Sequence, residues 1–411
     1  MGRILYFIVL TFFFQANLLC AKQFTYLAVD RQDFNPIKNK QIALSWLNSA
    51  APLVARTSEQ GFFSFESKEV LPRGPLFASL DGGEETVMVL KVVKSVTDAY
   101  PLVRSLGKGT YAEVFLARKN ATSLAVKIGK AGFGYSKAAL REANVLHLLR
   151  DNPHCLKIHD CLVSIDPHQE LPSPYNIKVI TVTERLSKDL SQELLSAYEE
   201  EKTGKEELVI HSLTELRKIA RAVLGSLEDL HKREFIHTDL KPENIMRCPR
   251  GSVRLIDFNG VRHVTNNKHF EVTSLWYRAP EIAKEQPYDQ KIDLWSLGCV
   301  LFELASNSVL FNAKCLPPQS PAEQAQALLA LIESFVAEGR PITAFLAETP
   351  LALSLGNTCE YREFLHLLYS LLEPDPRKRI SAEAALQHPF VCETSPIVIK
   401  VPPQGEVLLN E

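Results

Sequence analysis

The octapeptide His237-Thr238-Asp239-Leu240-Lys241-Pro242-Glu243-Asn244 constrains this chain more than any other stretch. It sets the carboxylate of Asp239, the ammonium of Lys241 and the carboxamide of Asn244 in one short segment, and Asp257-Phe258-Asn259 follows just downstream. Those are the parts needed to hold a metal ion and phosphate near a hydroxyl, the setting of phosphoryl transfer.

Length and charge bound the remainder. A chain of 411 residues can bury a large core and has room for one big domain and a small one. A formal net charge of -2 and the lack of a long Lys/Arg run give no reason to expect nucleic acid as a partner. No internal repeat stands out, which argues against a solenoid.

Residues 1–21 read as a secretory signal peptide. Arg3 precedes an apolar run from Ile4 to Phe14, and a mixed stretch from Gln15 leads to a small-residue exit near Cys20 and Ala21. The alternatives are a buried N-terminal helix and a retained membrane anchor; for the anchor the run is short and is interrupted at Gln15 and Asn17. Lys22, Arg31, Lys38 and Lys40 after the run would leave the rest of an uncut chain facing the cytosol, and a membrane is expected only through this segment. Cysteine usage pulls against export. Cys155, Cys161, Cys248, Cys299, Cys315, Cys359 and Cys392 are scattered and odd in number, which suits buried free thiols, and no CxxC pair predicts a zinc site.

Residues 22–95 read as short strands. Gln41 to Trp46, Gly61 to Phe65 and Thr86 to Val93 alternate or run apolar between Pro, Gly, Asn and Asp. Ala55 to Phe65, followed by Pro72-Arg73-Gly74-Pro75, resembles the strand-turn-strand of transthyretin-like or carboxypeptidase-regulatory β-sandwich modules; an irregular extension packed on the next domain is the other reading. No catalytic constellation falls here.

A new pattern starts near Tyr100. Leu106-Gly107-Lys108-Gly109-Thr110-Tyr111-Ala112-Glu113-Val114 reads as a glycine-rich hairpin whose amides can donate to phosphate oxygens, with Ala112 in place of a third glycine. In Leu124-Ala125-Val126-Lys127 a lone lysine ends an apolar run, and burying its ammonium calls for a carboxylate and an anionic ligand. A helix expected over 136–150 supplies Glu142, beside the stripe of Ala139, Leu140, Ala143, Leu146 and Leu149. An apolar strand from Ile177 to Val182 leads into Thr183-Glu184-Arg185-Leu186, and a helix is expected over 213–232. The charged stretch from Glu199 to Glu207 reads as a solvated loop, and Asn120-Ala121-Thr122 fits a glycosylation sequon.

Taken in order, the glycine-rich loop, Ala125-Val126-Lys127, Glu142, His237 to Asn244 and Asp257-Phe258 resemble the eukaryotic protein kinase family. The resemblance covers residues 96–391. Ser274-Leu275-Trp276-Tyr277-Arg278-Ala279-Pro280-Glu281 resembles its substrate-side loop, Asp293-Leu294-Trp295-Ser296-Leu297-Gly298 its central helix, and Arg379 the usual partner of Glu281. The resemblance implies an α+β fold of two lobes, one β-rich and one helical. A small β-sandwich-like region over 22–95 precedes it and a tail over 392–411 follows.

Roles follow from the same resemblance. Asp239 would orient the attacking hydroxyl, Lys241 would neutralise the moving phosphoryl group, and Lys127, fixed by Glu142, would grip the inner phosphates of ATP. Asn244 and Asp257 would hold Mg2+. Leu106, Gly107, Lys108, Gly109, Val114, Ala125, Thr183, Glu184, Leu186 and Met246 would line the nucleotide site, with Thr183 as gatekeeper. Trp276 to Glu281 is similar to the group containing cyclin-dependent, mitogen-activated, LAMMER-type and dual-specificity tyrosine-regulated kinases, and His237 to Asn244 narrows it toward the last two. Lys241 and Ser274 imply protein substrates accepting on serine or threonine.

Two departures bear on control. Thr238 stands where many kinases have an arginine that receives an activating phosphate, and His269-Phe270-Glu271 offers no hydroxyl at the expected phosphosite, which together imply activity without activating phosphorylation. Glu271 is either a phosphate mimic paired with Arg278 or a plain solvated glutamate. Asn259 replaces the glycine of the family's Asp-Phe-Gly; asparagine tolerates left-handed dihedrals better than most non-glycine residues, so the turn is expected to form at modest cost, with flipping of Phe258 restricted. With Ala112, Asn259 is the argument for the alternative reading, a pseudokinase that binds nucleotide or a partner.

Overall fold

A computed structural model describes residues 22–30, 40–44, 53–57, 62–67, 76–80, 85–164, 177–202, 211–265, 272–312 and 320–392. The signal-peptide reading of 1–21, Pro72 to Pro75, Glu271 with its proposed pairing to Arg278, and the tail beyond Cys392 lie outside the described residues. The chain divides into two compact units, one of Met1–Leu186 with Asp257–Asn259, the other of Ser187–Ile256 with Gly260–Glu411.

The first unit is built on one 11-stranded sheet. Its N-terminal strands are β1 (Lys22–Asp30), β2 (Gln41–Leu44), β3 (Leu53–Arg56), β4 (Phe62–Ser67), β5 (Leu76–Leu80) and β6 (Glu85–Val93). They pair antiparallel in the order β4-β1-β6-β5-β2-β3, and β3 comes back into contact with β4. The remaining strands are β7 (Leu102–Lys108), β8 (Ala112–Lys119), β9 (Thr122–Gly129), β10 (Ile158–Ser164) and β11 (Lys178–Glu184), ordered β10-β11-β9-β8-β7. Strand β6 belongs to both groups, because its last residues pair parallel with β10, Leu162 opposite Lys91 and Ser164 opposite Val93.

A period of two explains how β6 serves this sheet. Met88, Leu90 and Val92 join the apolar cluster of Leu140, Ala143, Cys161, Val163 and Val179, whereas Val93 packs with Tyr100, Leu124 and Val126 in a second cluster. Leu140 and Ala143 come from helix α1 (Phe133–Leu148), which starts three residues before the expected boundary and carries Glu142. Leu140, Ala143, Leu146 and Leu149 are buried as the stripe requires.

In the second unit, α2 (Leu190–Lys202) corrects the expectation of a loop from Glu199. Leu190 and Leu194, one turn apart, are buried and give this charged helix its apolar face. Residues 203–207 lie outside the described set. Helix α3 (Leu213–Lys232) has the expected bounds; Ser212 caps it by accepting from the Glu215 N–H, and Leu216, Ile219, Ala220, Val223, Leu227 and Leu230 are buried. Helix α4 (Lys291–Ser306) is buried nearly all round and stops at Asn307, whose φ of 58° is left-handed. Arg379 forms a two-point pair with Glu281 at 2.6 and 3.0 Å, both side chains buried. Among the described residues Cys155, Cys161, Cys248 and Cys299 are buried free thiols, while Cys359 is an exposed one.

Candidate active site

In the first unit, strand register gathers several of the residues expected on the nucleotide side. Val114 lies opposite Lys127 and Leu116 opposite Ala125; on the other edge of β9, Thr183 faces Ala125 and Thr181 faces Lys127. Cross-strand partners share a face, so Val114, Ala125, Lys127 and Thr183 lie together while Leu124 and Val126 point into the opposite core. The hairpin joining β7 to β8 closes with the Gly109 N–H donating to the Ala112 carbonyl at 2.9 Å. Ala112 is buried beside it, and Leu106, Gly107 and Lys108 are exposed. The Glu184 carboxylate accepts from the Lys157 N–H at 3.0 Å, and Leu186 closes the unit, half-buried.

Lys127 meets Glu142 at 2.8 and 3.0 Å and Asp257 at 3.8 Å. Burial alone would lower the lysine, but the two carboxylates outweigh it and hold the ammonium above its ordinary range. The Phe258 N–H also donates to the Glu142 carboxylate, so helix α1 is tied to the Asp257–Asn259 segment. The turn forms as expected, and it does so without a left-handed Asn259. Phe258–Gly260 forms a 3-10 turn, and the positive φ falls on Asp257, at 59°. The side chain of Asn259 instead donates to Asp257 Oδ1 at 2.6 Å.

In the second unit, Asp239, Lys241 and Ser274 form a closed triangle. Lys241 Nζ is 2.7 Å from Asp239 Oδ2 and donates to Ser274 Oγ at 3.1 Å, and that hydroxyl donates to Asp239 Oδ1 at 2.8 Å. Burial would raise the Asp239 carboxyl, but Lys241, Ser274 and His237 outweigh it and hold it below the usual carboxylate range. Asp239 is thus anionic and can accept a hydrogen bond from a substrate hydroxyl. Asn244 Nδ2 donates to the Asp239 carbonyl at 2.7 Å, which leaves its Oδ1 as an acceptor. Met246 lies half-buried on the strand Ile245–Arg247 and bridges to Asp189.

Asp293 is a site residue that the sequence reading assigned only to the central helix. Its buried carboxylate accepts from the backbone N–H of His237 at 2.8 Å and of Thr238 at 3.0 Å, and lies 2.9 Å from His231 Nε2, which fixes the loop ahead of Asp239. The signal was available: an aspartate between Ile292 and Leu294-Trp295 on an apolar helix must find donors. Thr238 has φ of 69°, is buried, and donates to the Gly260 carbonyl at 2.9 Å.

Each unit by itself carries an oxygen donor of the kind that suits Mg2+, which is commonly held by one or two protein groups with substrate phosphates completing its shell: in the first unit Asp257 offers a partly exposed carboxylate, and in the second Asn244 offers a carboxamide oxygen. Among the described residues no group of three or more His, Cys, Asp or Glu could hold an ion by itself.

The protein kinase domain family matches residues 100–391. The chain belongs to the protein kinase family. Cell division control protein 2 homolog 3 of Trypanosoma brucei brucei is 30% identical over 327 residues, covering 72% of this chain and 93% of that protein. Cyclin-dependent kinase 4 of Xenopus laevis is 29% identical, covering 73% and 92%, and cyclin-dependent kinase B2-1 of Arabidopsis thaliana is 26% identical, covering 73% and 95%. These relatives belong to the CMGC group, to which Trp276 to Glu281 also points. The fold is the bilobal kinase fold, with a β-sheet N-lobe and a helical C-lobe, and the family in general uses ATP and Mg2+ on protein substrates.

Proposed function

We propose that this kinase is catalytically active, transfers the γ-phosphoryl group of ATP to serine or threonine hydroxyls of proteins, and works without activation-loop phosphorylation. The observation that carries the reading is the Asp239–Lys241–Ser274 triangle, an anionic acceptor, a cation and a loop hydroxyl already within hydrogen-bond reach of one another. Asp239 accepts the hydrogen bond of the incoming hydroxyl and takes its proton, and Lys241 neutralises charge on the transferring group. Lys127, held by Glu142, steadies the inner phosphates. Asn244 and Asp257 are the residues that would each offer an oxygen to Mg2+, and the ion would supply charge neutralisation on the phosphates.

Independence from an activating phosphate is supported by Thr238. Its buried side chain is spent on Gly260, and no cation stands at that position to receive a phosphate. The test is phosphotransfer by bacterially expressed, phosphatase-treated protein to a generic basic substrate. Asp239→Asn should fold and lose about 10²- to 10⁴-fold in rate. An unchanged rate in folded Asp239→Asn would refute the role of Asp239; inactivity of the phosphatase-treated parent until an upstream kinase modifies it would refute autonomy. Inactivity of the parent under every condition, with nucleotide still bound, would favour the pseudokinase reading, for which Ala112 and Asn259 are the supporting departures.

We further propose that residues 1–21 direct export, on the strength of Arg3 and the apolar run that follows it. N-terminal sequencing of the mature protein is the test, with a start near Lys22 expected; an intact Met1 would support the anchor instead.

A further inference from the structure

Asn259, the residue that departs most from the family's Asp-Phe-Gly, is bonded to the neighbouring metal-ligand candidate. Its carboxamide Nδ2 stands 2.6 Å from Asp257 Oδ1, and the Lys127 ammonium lies 3.8 Å from that same oxygen. A carboxamide nitrogen is a neutral donor, so it satisfies Oδ1 without adding a positive charge where a cation is to bind. With Asn259 on Oδ1, Lys127 stays on Glu142 at 2.8 Å and the second carboxylate oxygen of Asp257 is left for the metal.

The carboxamide is aimed by structure on both sides of it. Arg141 Nη1 donates to the Asn259 carbonyl at 3.3 Å, and the preceding Phe258 N–H donates to Glu142, so adjacent residues of helix α1 hold both backbone units of the turn. Asp257 itself carries a φ of 59°, a conformation that non-glycine residues seldom adopt and keep only when their surroundings fix it. A glycine at 259 would have no side chain to contribute to that fixing.

We propose that Asn259 is a positioning residue for Asp257, holding one carboxylate oxygen so that the other meets the divalent cation accompanying the nucleotide. The inference rests on the kinase reading above. Without the carboxamide, Oδ1 of Asp257 is free to close on Lys127 from its present 3.8 Å, which tightens that ion pair at the expense of metal ligation and draws the ammonium away from Glu142. The effect therefore falls on the metal dependence of nucleotide binding, ahead of any chemistry.

The experiment is equilibrium binding of a non-hydrolysable ATP analogue to the full chain, titrated with Mg2+, for the parent, Asn259→Gly and Asn259→Leu. Both variants should need about tenfold more Mg2+ for half-maximal binding, as expected for loss of one hydrogen bond to a charged group, with metal-free affinity unchanged within about twofold. Parent-like Mg2+ curves in both variants, with clear metal dependence in the parent, would overturn this inference and leave the kinase reading standing. A parent that binds no nucleotide in Mg2+ would overturn the kinase reading and this inference with it. Thermal melting checks that each variant is folded. Asn259→Gly adds no bulk and restores the family's residue, so it stays informative even where the leucine disturbs the turn.

Discussion

Thr238 donates its hydroxyl to the Gly260 carbonyl at 2.9 Å, and a Cβ added at Gly260 would stand 2.9 Å from that same hydroxyl oxygen. The two residues are therefore matched to each other, one by its bond and the other by its lack of a side chain. Thr238→Ala should cost about 1 kcal/mol through the lost bond, and Gly260→Ala about 1 to 3 kcal/mol through overpacking. Because the first change removes the atom that the second collides with, the double variant should lose less than the sum. Urea unfolding of the four proteins measures the coupling; strict additivity would mean that the contact is relaxed elsewhere.

Strand β6 should matter to catalysis as well as to stability. Leu90 and Met88 lie in one buried cluster with Leu140 and Ala143, the residues of α1 that flank Glu142. Leu90→Ala is expected to cost about 2 to 5 kcal/mol and to raise the KM for ATP by loosening the helix that presents Glu142 to Lys127. Val89, buried on the opposite side of the same strand and outside that cluster, is the control. Val89→Ala should lower stability with little change in KM, and equal KM effects at the two positions would show that β6 acts only through global stability.

Much of the site was legible because phosphoryl transfer needs charged groups in a fixed order along the chain. Lys127 was marked by a charge closing an apolar run, and Glu142 by its place beside a helical stripe; both marks survive in the register of β9 and the face of α1. What escaped was set by backbone geometry. The left-handed conformation belongs to Asp257 rather than Asn259, and no residue-type rule places it there. A run of glutamates obscures helix α2, whose buried positions among the described side chains are Leu190 and Leu194. Asp293 was visible as a charge within an apolar helix, but its partners are the backbone amides of His237 and Thr238, more than fifty residues away in the chain.

Ser274 should be more than a loop residue. Its hydroxyl accepts from Lys241 and donates to Asp239, so Ser274→Val leaves both charges short of a partner, whereas Ser274→Thr keeps the hydroxyl. A hydrogen bond to a charged group is worth about 1.5 to 3 kcal/mol, which converts to a loss of roughly 10- to 10²-fold in kcat for the valine variant. The threonine variant should retain most of the parent's rate. Steady-state kinetics at saturating ATP checks both, and an inactive threonine variant would mean that the site reads side-chain volume rather than the hydroxyl.

Glu303 provides a pH dependence whose sign is fixed by its surroundings. Its carboxyl accepts from the Tyr277 hydroxyl at 2.7 Å, yet burial, with the charge of Glu243 added, pushes it up from an ordinary 4.5 to about 7. The folded protein therefore holds this proton more tightly than the unfolded chain does. Below pH 4.5 both forms are protonated and the group is neutral to stability; between 4.5 and 7 stability falls as pH rises, and above 7 the loss is complete. Its size is on the order of 3 kcal/mol. Glu303→Gln keeps an acceptor for Tyr277 and carries no charge, so it should match the parent near pH 4.5 and exceed it in stability by pH 8. The difference between the two proteins is the proper readout, since His388, pushed down to about 4 by burial and by His366, destabilises the fold in the opposite direction as pH falls from 6.5. Urea midpoints across this range test the claim, and a gap between the two proteins that stays flat with pH would return Glu303 to the ordinary carboxylate range.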